Sequence, residues 1–269
     1  MNGVLLEARG VSFAYPGGPK VIDNLSLSLS GRQSIGVVGA NGAGKSTLLL
    51  LLAGALKPNS GEIVFAEAGR APVNPATTPG RIGLAFQNPD DQLFLPSVSE
   101  DVAFGPRNQG LAATEVQERV TTALEETGIG HLARRPPFQL SGGEKRTAAL
   151  ASILSLQPAV LLLDEPTASL DPLARRRAMR LLASLEPLKI ITSHDLDMIW
   201  DTCQQVVVLK QGRILTTGAT QDIFTQPELL GEAGLEPPLR LQGCPRCGVA
   251  YSPPFAADLA GEGVAAVSV

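Results

Sequence analysis

Gly39-Ala40-Asn41-Gly42-Ala43-Gly44-Lys45-Ser46-Thr47 decides the fold of this chain. It follows a short apolar segment, residues 34–38, and leads into a leucine run that starts at Leu48. A buried strand therefore ends on one side of it, and a helix from Lys45 opens on the other. In that setting the pattern GxxxxGK[ST] binds phosphate. Gly39, Gly42 and Gly44 let the backbone N–H groups of the loop, including those of Asn41 and Thr47, turn inward on an anion. Lys45 reaches the β- and γ-phosphates, Ser46 offers a hydroxyl to Mg²⁺, and the helix N-terminus favours the negative charge.

Outward from the loop, strands alternate with helices. Residues 4–15 alternate at Val4, Leu6, Val11, Phe13 and Tyr15 and read as edge strands, and residues 21–29 alternate at Leu25, Leu27 and Leu29 as a half-buried strand. Residues 66–81, rich in Pro, Gly, Ala and Thr, read as a loop or hairpin tip, and residues 82–86 as a strand. Val116, Val120, Ala123 and Leu124 carry a helical period over residues 114–127, closed by Gly128. Further helices are expected over residues 142–156 and 174–185, and further strands over 160–163, 189–192 and 205–209. This order implies an α/β sheet, with a mostly helical subdomain at about 88–157 inserted between two core strands. From about Gly231 the chain turns Pro- and Gly-rich and then ends in a small-residue stretch that reads as loose; residues 231–269 form a C-terminal tail behind a nucleotide-binding domain of residues 1–230.

Two more stretches carry chemistry. Val160-Leu161-Leu162-Leu163-Asp164-Glu165 is an apolar strand that ends in adjacent acids. Asp164 is placed for Mg²⁺ and Glu165 to polarise an attacking water. Leu140-Ser141-Gly142-Gly143-Glu144 is a second glycine turn that opens a helix, with Ser141 as its cap.

The ordered set of phosphate loop, Gln87, Leu-Ser-Gly-Gly, Asp-Glu, Ser169-Leu170-Asp171 and His194 resembles the ABC (ATP-binding cassette) ATPase family over roughly residues 4–230. The resemblance implies a P-loop NTPase with a RecA-like core, an antiparallel β edge sheet and an inserted helical subdomain. It implies ATP and Mg²⁺ as ligands and a dimer in which each ATP lies between two protomers. Gln87 is similar to the family's glutamine that senses Mg²⁺ and water. Ser141, Gly142 and Gly143 would meet the γ-phosphate held by the opposite protomer, Asp171 would sit at the dimer seam, and His194 would contact the γ-phosphate. Tyr15 resembles the aromatic that stacks on adenine, beside the plainer reading of a sheet residue. Glu144 replaces the family's more frequent glutamine. Thr147 stands where the family usually carries arginine, with Arg146 one position earlier.

Composition bounds the function. Hydrophobic residues make up 44% and charged residues 18%, which suits a packed core. A net charge of −4 and 4% aromatics give no footprint for nucleic acid. No run approaches the ~18 apolar residues of a membrane span, and the N-terminus lacks the pattern of a signal peptide. The expectation is a cytoplasmic chain that reaches a membrane through partners. Three cysteines are present: Cys203 reads as a core residue, while Cys244 and Cys247 form either half of a zinc knuckle shared across a dimer or a reduced turn.

Gln87-Asn88-Pro89-Asp90-Asp91-Gln92-Leu93-Phe94, followed by Ser99-Glu100-Asp101-Val102-Ala103-Phe104-Gly105-Pro106, resembles the ATPase subunits of energy-coupling-factor importers. That implies a groove for a transmembrane scaffold, with Asp90 and Asp91 facing its arginines, and a separate substrate-binding membrane protein. The connection at 186–191, His194-Asp195-Leu196-Asp197 and Gly234-Leu235-Glu236-Pro237-Pro238-Leu239 resemble the cobalt and nickel branch, although vitamin-type subunits share most of these features. The implied location is the cytoplasmic face of the membrane, as a peripheral subunit. A soluble ABC ATPase acting on ribosomes or DNA is the rival reading; it calls for a second cassette, coiled coils or basic insertions that this sequence lacks.

Overall fold

The protein, seen as a computed structural model, is described over residues 3–243. The chain divides into two units: one takes the residues up to Thr77 and again from Leu188, and the other, Thr78–Pro187, is inserted between those segments.

The first unit opens with β1 (Val4–Ala14) and β2 (Lys20–Ser30), an antiparallel pair. Leu25, Leu27 and Leu29 are buried, as their alternation demands. β3 (Ser34–Val38) is buried at every position and runs into the glycine loop and α1 (Lys45–Leu52). β4 (Ser60–Glu67) then returns to pair with β1. This corrects the edge-strand expectation for residues 4–15: β1 is one strand at the centre of the order β2-β1-β4. It is flanked on both edges by the ladders to β2 and β4, and β4 escapes the sequence pattern because its buried apolar positions Ile63, Val64 and Phe65 are contiguous rather than alternating.

In the inserted unit, β5 (Ile82–Ala85) leads into a segment that carries α2 (Val98–Asn108), α3 (Ala113–Glu126) and α4 (Gly142–Leu154). The buried face of α3 is Val116, Val120, Ala123 and Leu124, the four positions that carry its period. β6 (Val160–Asp164) pairs in parallel with β5, and α5 (Pro172–Ser184) follows.

The chain re-enters the first unit through β7 (Leu188–Thr192), which pairs in parallel with β3. α6 (Leu196–Thr202) comes next, then β8 (Gln205–Lys210), parallel to β3 on its other side. β8 turns at Gln211-Gly212 into its antiparallel partner β9 (Arg213–Ala219). α7 (Thr220–Phe224) and α8 (Pro227–Glu232) close the described chain. Beyond α8, Ala233 and Arg240 are buried, and the small-residue end of the chain, expected to be loose, lies outside the described residues. Cys244 and Cys247 lie outside the described residues. Among these, no helix is long and apolar enough to cross a membrane.

Cys203 is a core residue. Burial pushes its thiol up to about 12, against smaller opposing effects of the Thr202 hydroxyl and the Lys189 ammonium. The reactive thiolate is therefore scarce at neutral pH. A Cys244→Ser/Cys247→Ser chain is expected to resist aromatic disulfide reagents while folded and to react fully once unfolded in urea. Rapid labelling of the folded chain would contradict this burial.

Candidate functional site

The candidate residues fall in both units. In the first, β3 delivers the phosphate loop. Gly39 passes so close to the Leu209 carbonyl oxygen that a Cβ there would collide with backbone. Gly44 sits at φ 103, where a Cβ would come within 2.8 Å of Ile22 Cδ1. Both positions demand glycine for space or conformation rather than for flexibility. The Lys45 ammonium donates to the carbonyl oxygens of Gly39 (2.8 Å) and Ala40 (3.2 Å), so its charge is held over the loop. Asn41, Gly42 and Ser46 are exposed, while Thr47 is buried and shares a 3.3 Å hydrogen bond with the Tyr15 hydroxyl. Tyr15 itself is 42% exposed and meets Phe13 edge-on at 4.9 Å, which leaves aromatic surface beside the loop. His194 is exposed on a short connection between β7 and α6, after the fully buried Ser193.

In the inserted unit, Gln87 is exposed just beyond β5. Asp164 ends β6, and Glu165 follows it, buried and at φ 49. A left-handed conformation at a non-glycine residue costs about 1–3 kcal/mol and is held where the surroundings fix it. One anchor is visible: the Arg146 guanidinium donates to the backbone carbonyls of Glu165 and Gln87, both at 3.0 Å. Arg146 lies on α4, so one cation ties the helix behind the second glycine turn to both catalytic candidates. Thr147 turns back to the Gly143 carbonyl at 2.9 Å and makes no such tie.

Ser141 caps α4 in a reciprocal box with Glu144. The Glu144 carboxylate accepts from the Ser141 backbone N–H at 2.7 Å, and the Ser141 hydroxyl accepts from the Glu144 N–H at 3.3 Å. That backbone hydrogen bond, and then the hydroxyl, hold the Glu144 carboxyl below its ordinary range. Glutamate thus completes a capping box, a motif that admits either glutamate or glutamine at this position. Ser141 and Gly142 remain exposed at the helix start. A Cβ on Gly143 would touch Ala174 of α5, whose cap is Asp171, accepting from the Leu173 and Ala174 N–H groups at 2.9 Å each. Ser141, Gly143, Asp164 and Asp171 all line one open cavity of this unit.

The segment after Gln87 is fastened from beneath. The Gln92 side-chain amide donates to the Ala149 carbonyl of α4 at 2.7 Å, and Asp101 of α2 accepts from the backbone N–H groups of Phe94 and Leu95. Burial raises the Asp101 carboxyl above its usual range, against those two hydrogen bonds. Phe94 is exposed and packs edge-on against Phe104 at 5.1 Å. Asp90, expected to face a partner's arginine, is paired within the chain to Lys145 at 2.6 Å. Asp91 is exposed, in reach of the Asn88 amide. Spacing alone did not reveal the supports Gln92 and Lys145, because each acts across more than fifty residues of chain; Asp101 acts over a short loop but at no motif spacing.

A strand feeding a glycine loop that cradles a lysine, with a second glycine turn capped on its own helix, defines a P-loop nucleotide-binding ATPase. Residues 22–168 match the ABC transporter family, and the chain belongs to it. A putative ABC transporter ATP-binding protein of Geobacter sulfurreducens is 49% identical over 92% of this chain and 100% of its own length. The energy-coupling factor transporter ATP-binding protein EcfA of Methanothermobacter thermautotrophicus is 40% identical over 87% of this chain and 77% of its own. The cobalt import ATP-binding protein CbiO of Rhodobacter capsulatus is 40% identical over 87% and 86%. Among solved structures, cbiO1 of Clostridium perfringens, part of the ABC transporter complex cbiONQ, superposes with a TM-score of 0.74 at 36% identity, covering 90% of this chain and 96% of that one.

Proposed function

We propose that this chain is the ATP-hydrolysing subunit of an energy-coupling-factor importer and that the cargo is a transition metal ion, cobalt or nickel. The observation that carries the reading is the likeness to the cobalt import protein and to cbiO1, which spans most of each chain. The vitamin-type importer is the second reading, since a relative of the same identity is named for the energy-coupling factor without a cargo.

ATP binds at the phosphate loop, with Gly39, Asn41, Gly42, Gly44, Lys45 and Thr47 around the phosphates and Tyr15 against the adenine. Ser46, Gln87 and Asp164 supply oxygen donors of the hard kind that Mg²⁺ takes; when bound, that ion offsets the charge on the phosphate oxygens. Glu165 orients the attacking water and His194 contacts the γ-phosphate. Ser141, Gly142, Gly143 and Asp171 act on the nucleotide of a second protomer, identical or related. The helical subdomain at 88–157 moves with the nucleotide state and carries the groove at Gln87–Phe94, where a transmembrane scaffold docks. Cargo selection belongs to a separate membrane protein, because the described residues hold no cluster of His, Cys, Asp or Glu able to bind a metal ion. The chain then works peripherally at the cytoplasmic face of the membrane and has no role on nucleic acid.

Cells that express the complete complex are expected to take up labelled cobalt or nickel and to ignore biotin and riboflavin. Asp91→Arg should abolish that uptake while leaving ATP binding by the purified chain unchanged, since Asp91 is no part of the phosphate-loop motif. The single substitution is preferable to reversing Asp90 as well, which would also break the Lys145 pair. Vitamin uptake without metal uptake would replace the metal reading by the second one. Export of a hydrophobic compound, or the lack of any membrane partner, would overturn both.

A further inference from the structure

The segment after β9, which carries residues 234–239, holds none of the residues assigned to nucleotide chemistry, yet it touches two motifs that do. Leu230 and Ala233 are buried, and Lys210 at the end of β8 pairs with Glu232 at 3.0 Å. Directly afterwards the chain passes behind the phosphate loop: a Cβ on Gly234 would lie 3.4 Å from Ala40 Cβ. It then reaches α6. Arg240 is buried there between two carboxylates one helical turn apart, Asp197 Oδ1 at 3.0 Å and Asp201 Oδ1 at 2.7 Å. Its guanidinium carbon lies 5.3 Å from the centre of the Trp200 ring. Asp197 also accepts from the backbone N–H groups of Leu239 (2.8 Å) and Arg240 (3.3 Å), so side chain and main chain are clamped together.

The other face of α6 is equally constrained. Ile199 is buried against Gly36 of β3, so closely that a Cβ on Gly36 would come within 2.6 Å of Ile199 Cγ2. β3 is the strand that feeds the phosphate loop. α6 also begins two residues after His194, with Asp195 as its cap, accepting from the Met198 N–H at 2.9 Å. The exposed His194 imidazole therefore stands on a pedestal pressed onto β3 from inside and held by Arg240 from outside.

We propose that residues 230–241 form a strap that positions His194 relative to the phosphate loop, with Arg240 as the positioning residue. This rests on the reading that His194 contacts the γ-phosphate. Arg240 touches neither substrate nor reacting atoms; it fixes α6, and α6 fixes the imidazole. A bidentate fork over two carboxylates and an indole is a task for arginine, which lysine performs poorly.

The test uses the purified full-length chain. Arg240→Ala is expected to lower kcat about tenfold to a hundredfold, because small misplacements remote from the chemistry cost that much, with KM for ATP nearly unchanged. His194→Ala should lower kcat more than Arg240→Ala does, and adding Arg240→Ala to its residual activity should lower that no further, as expected for residues that act as one. The chain contains two histidines, so their imidazole NMR signals separate cleanly, with His194→Gln assigning the pair. Arg240→Ala should shift or broaden the His194 signal and leave that of His131 in place. Should Arg240→Ala fold poorly, Asp201→Asn and Arg240→Lys, which keep much of the clamp, should show the same pattern in weaker form. Full kcat with an unmoved His194 signal in these variants would overturn the strap. Equal losses in kcat and ATP affinity, with both histidine signals disturbed, would also overturn it, since that marks general loosening. Full turnover of His194→Ala would instead overturn the underlying reading of His194.

Discussion

Glu165→Gln is expected to retain ATP and to hydrolyse it about a hundredfold to ten-thousandfold more slowly, the range over which a positioned general base acts. Glutamine matches glutamate in volume, so the buried position stays filled and the Arg146 hold on the Glu165 carbonyl, a main-chain contact, is untouched. What disappears is the carboxylate's ability to accept a proton from water. Binding depends on the phosphate loop, in the other unit, and should survive. The stalled chain should run as an ATP-bound dimer in size-exclusion chromatography with Mg²⁺ and ATP, and as wild type without them. If the variant keeps most of the wild-type turnover in the presence of its membrane partners, Glu165 is not the base.

The phosphate loop was legible in the sequence because its chemistry fixes residue identity at local spacing. Gly39 and Gly44 tolerate no side chain, and Lys45 must reach back over its own loop. β3 and β6 were legible as short apolar runs because both faces of each are buried. The helical period of α3 likewise gave its buried face directly. β4 escaped because its apolar residues are consecutive and it exists through pairing with β1, some fifty positions earlier in the chain. β9 carries no alternation, its interior being half-buried throughout, and it is held by the ladder to β8. The Arg240 clamp gave no signal of its own. An arginine in a Pro-rich segment looks solvated until α6 supplies Asp197 and Asp201 across forty residues. Chemistry confined to a loop can thus be read from its letters, whereas positioning built from distant pairs becomes visible only after folding.

Lys45→Ala chains and Ser141→Arg chains are each expected to be inactive alone and to recover activity when mixed. The first lacks the cation that meets the phosphates. The second places a bulky cation at the exposed cap of α4, beside Gly142, where the partner's γ-phosphate is expected. If each nucleotide lies between the loop of one protomer and the glycine turn of the other, a mixed dimer gathers both lesions at one nucleotide and leaves the second intact. Random pairing makes half of the dimers mixed, and half of their positions sound, so about a quarter of the wild-type nucleotide should be retained. Labelled ATP trapped in the dimer fraction is the better reading, since a Ser141→Arg chain can still bind ATP at its own phosphate loop and turnover could require both positions at once. The exposed Asp171 lines the same cavity as Ser141 and Gly143, which gives that rim a second polar group to meet a neighbouring chain. No recovery on mixing would mean that each chain binds nucleotide with its own glycine turn, and the head-to-tail dimer would fall while the P-loop ATPase remained.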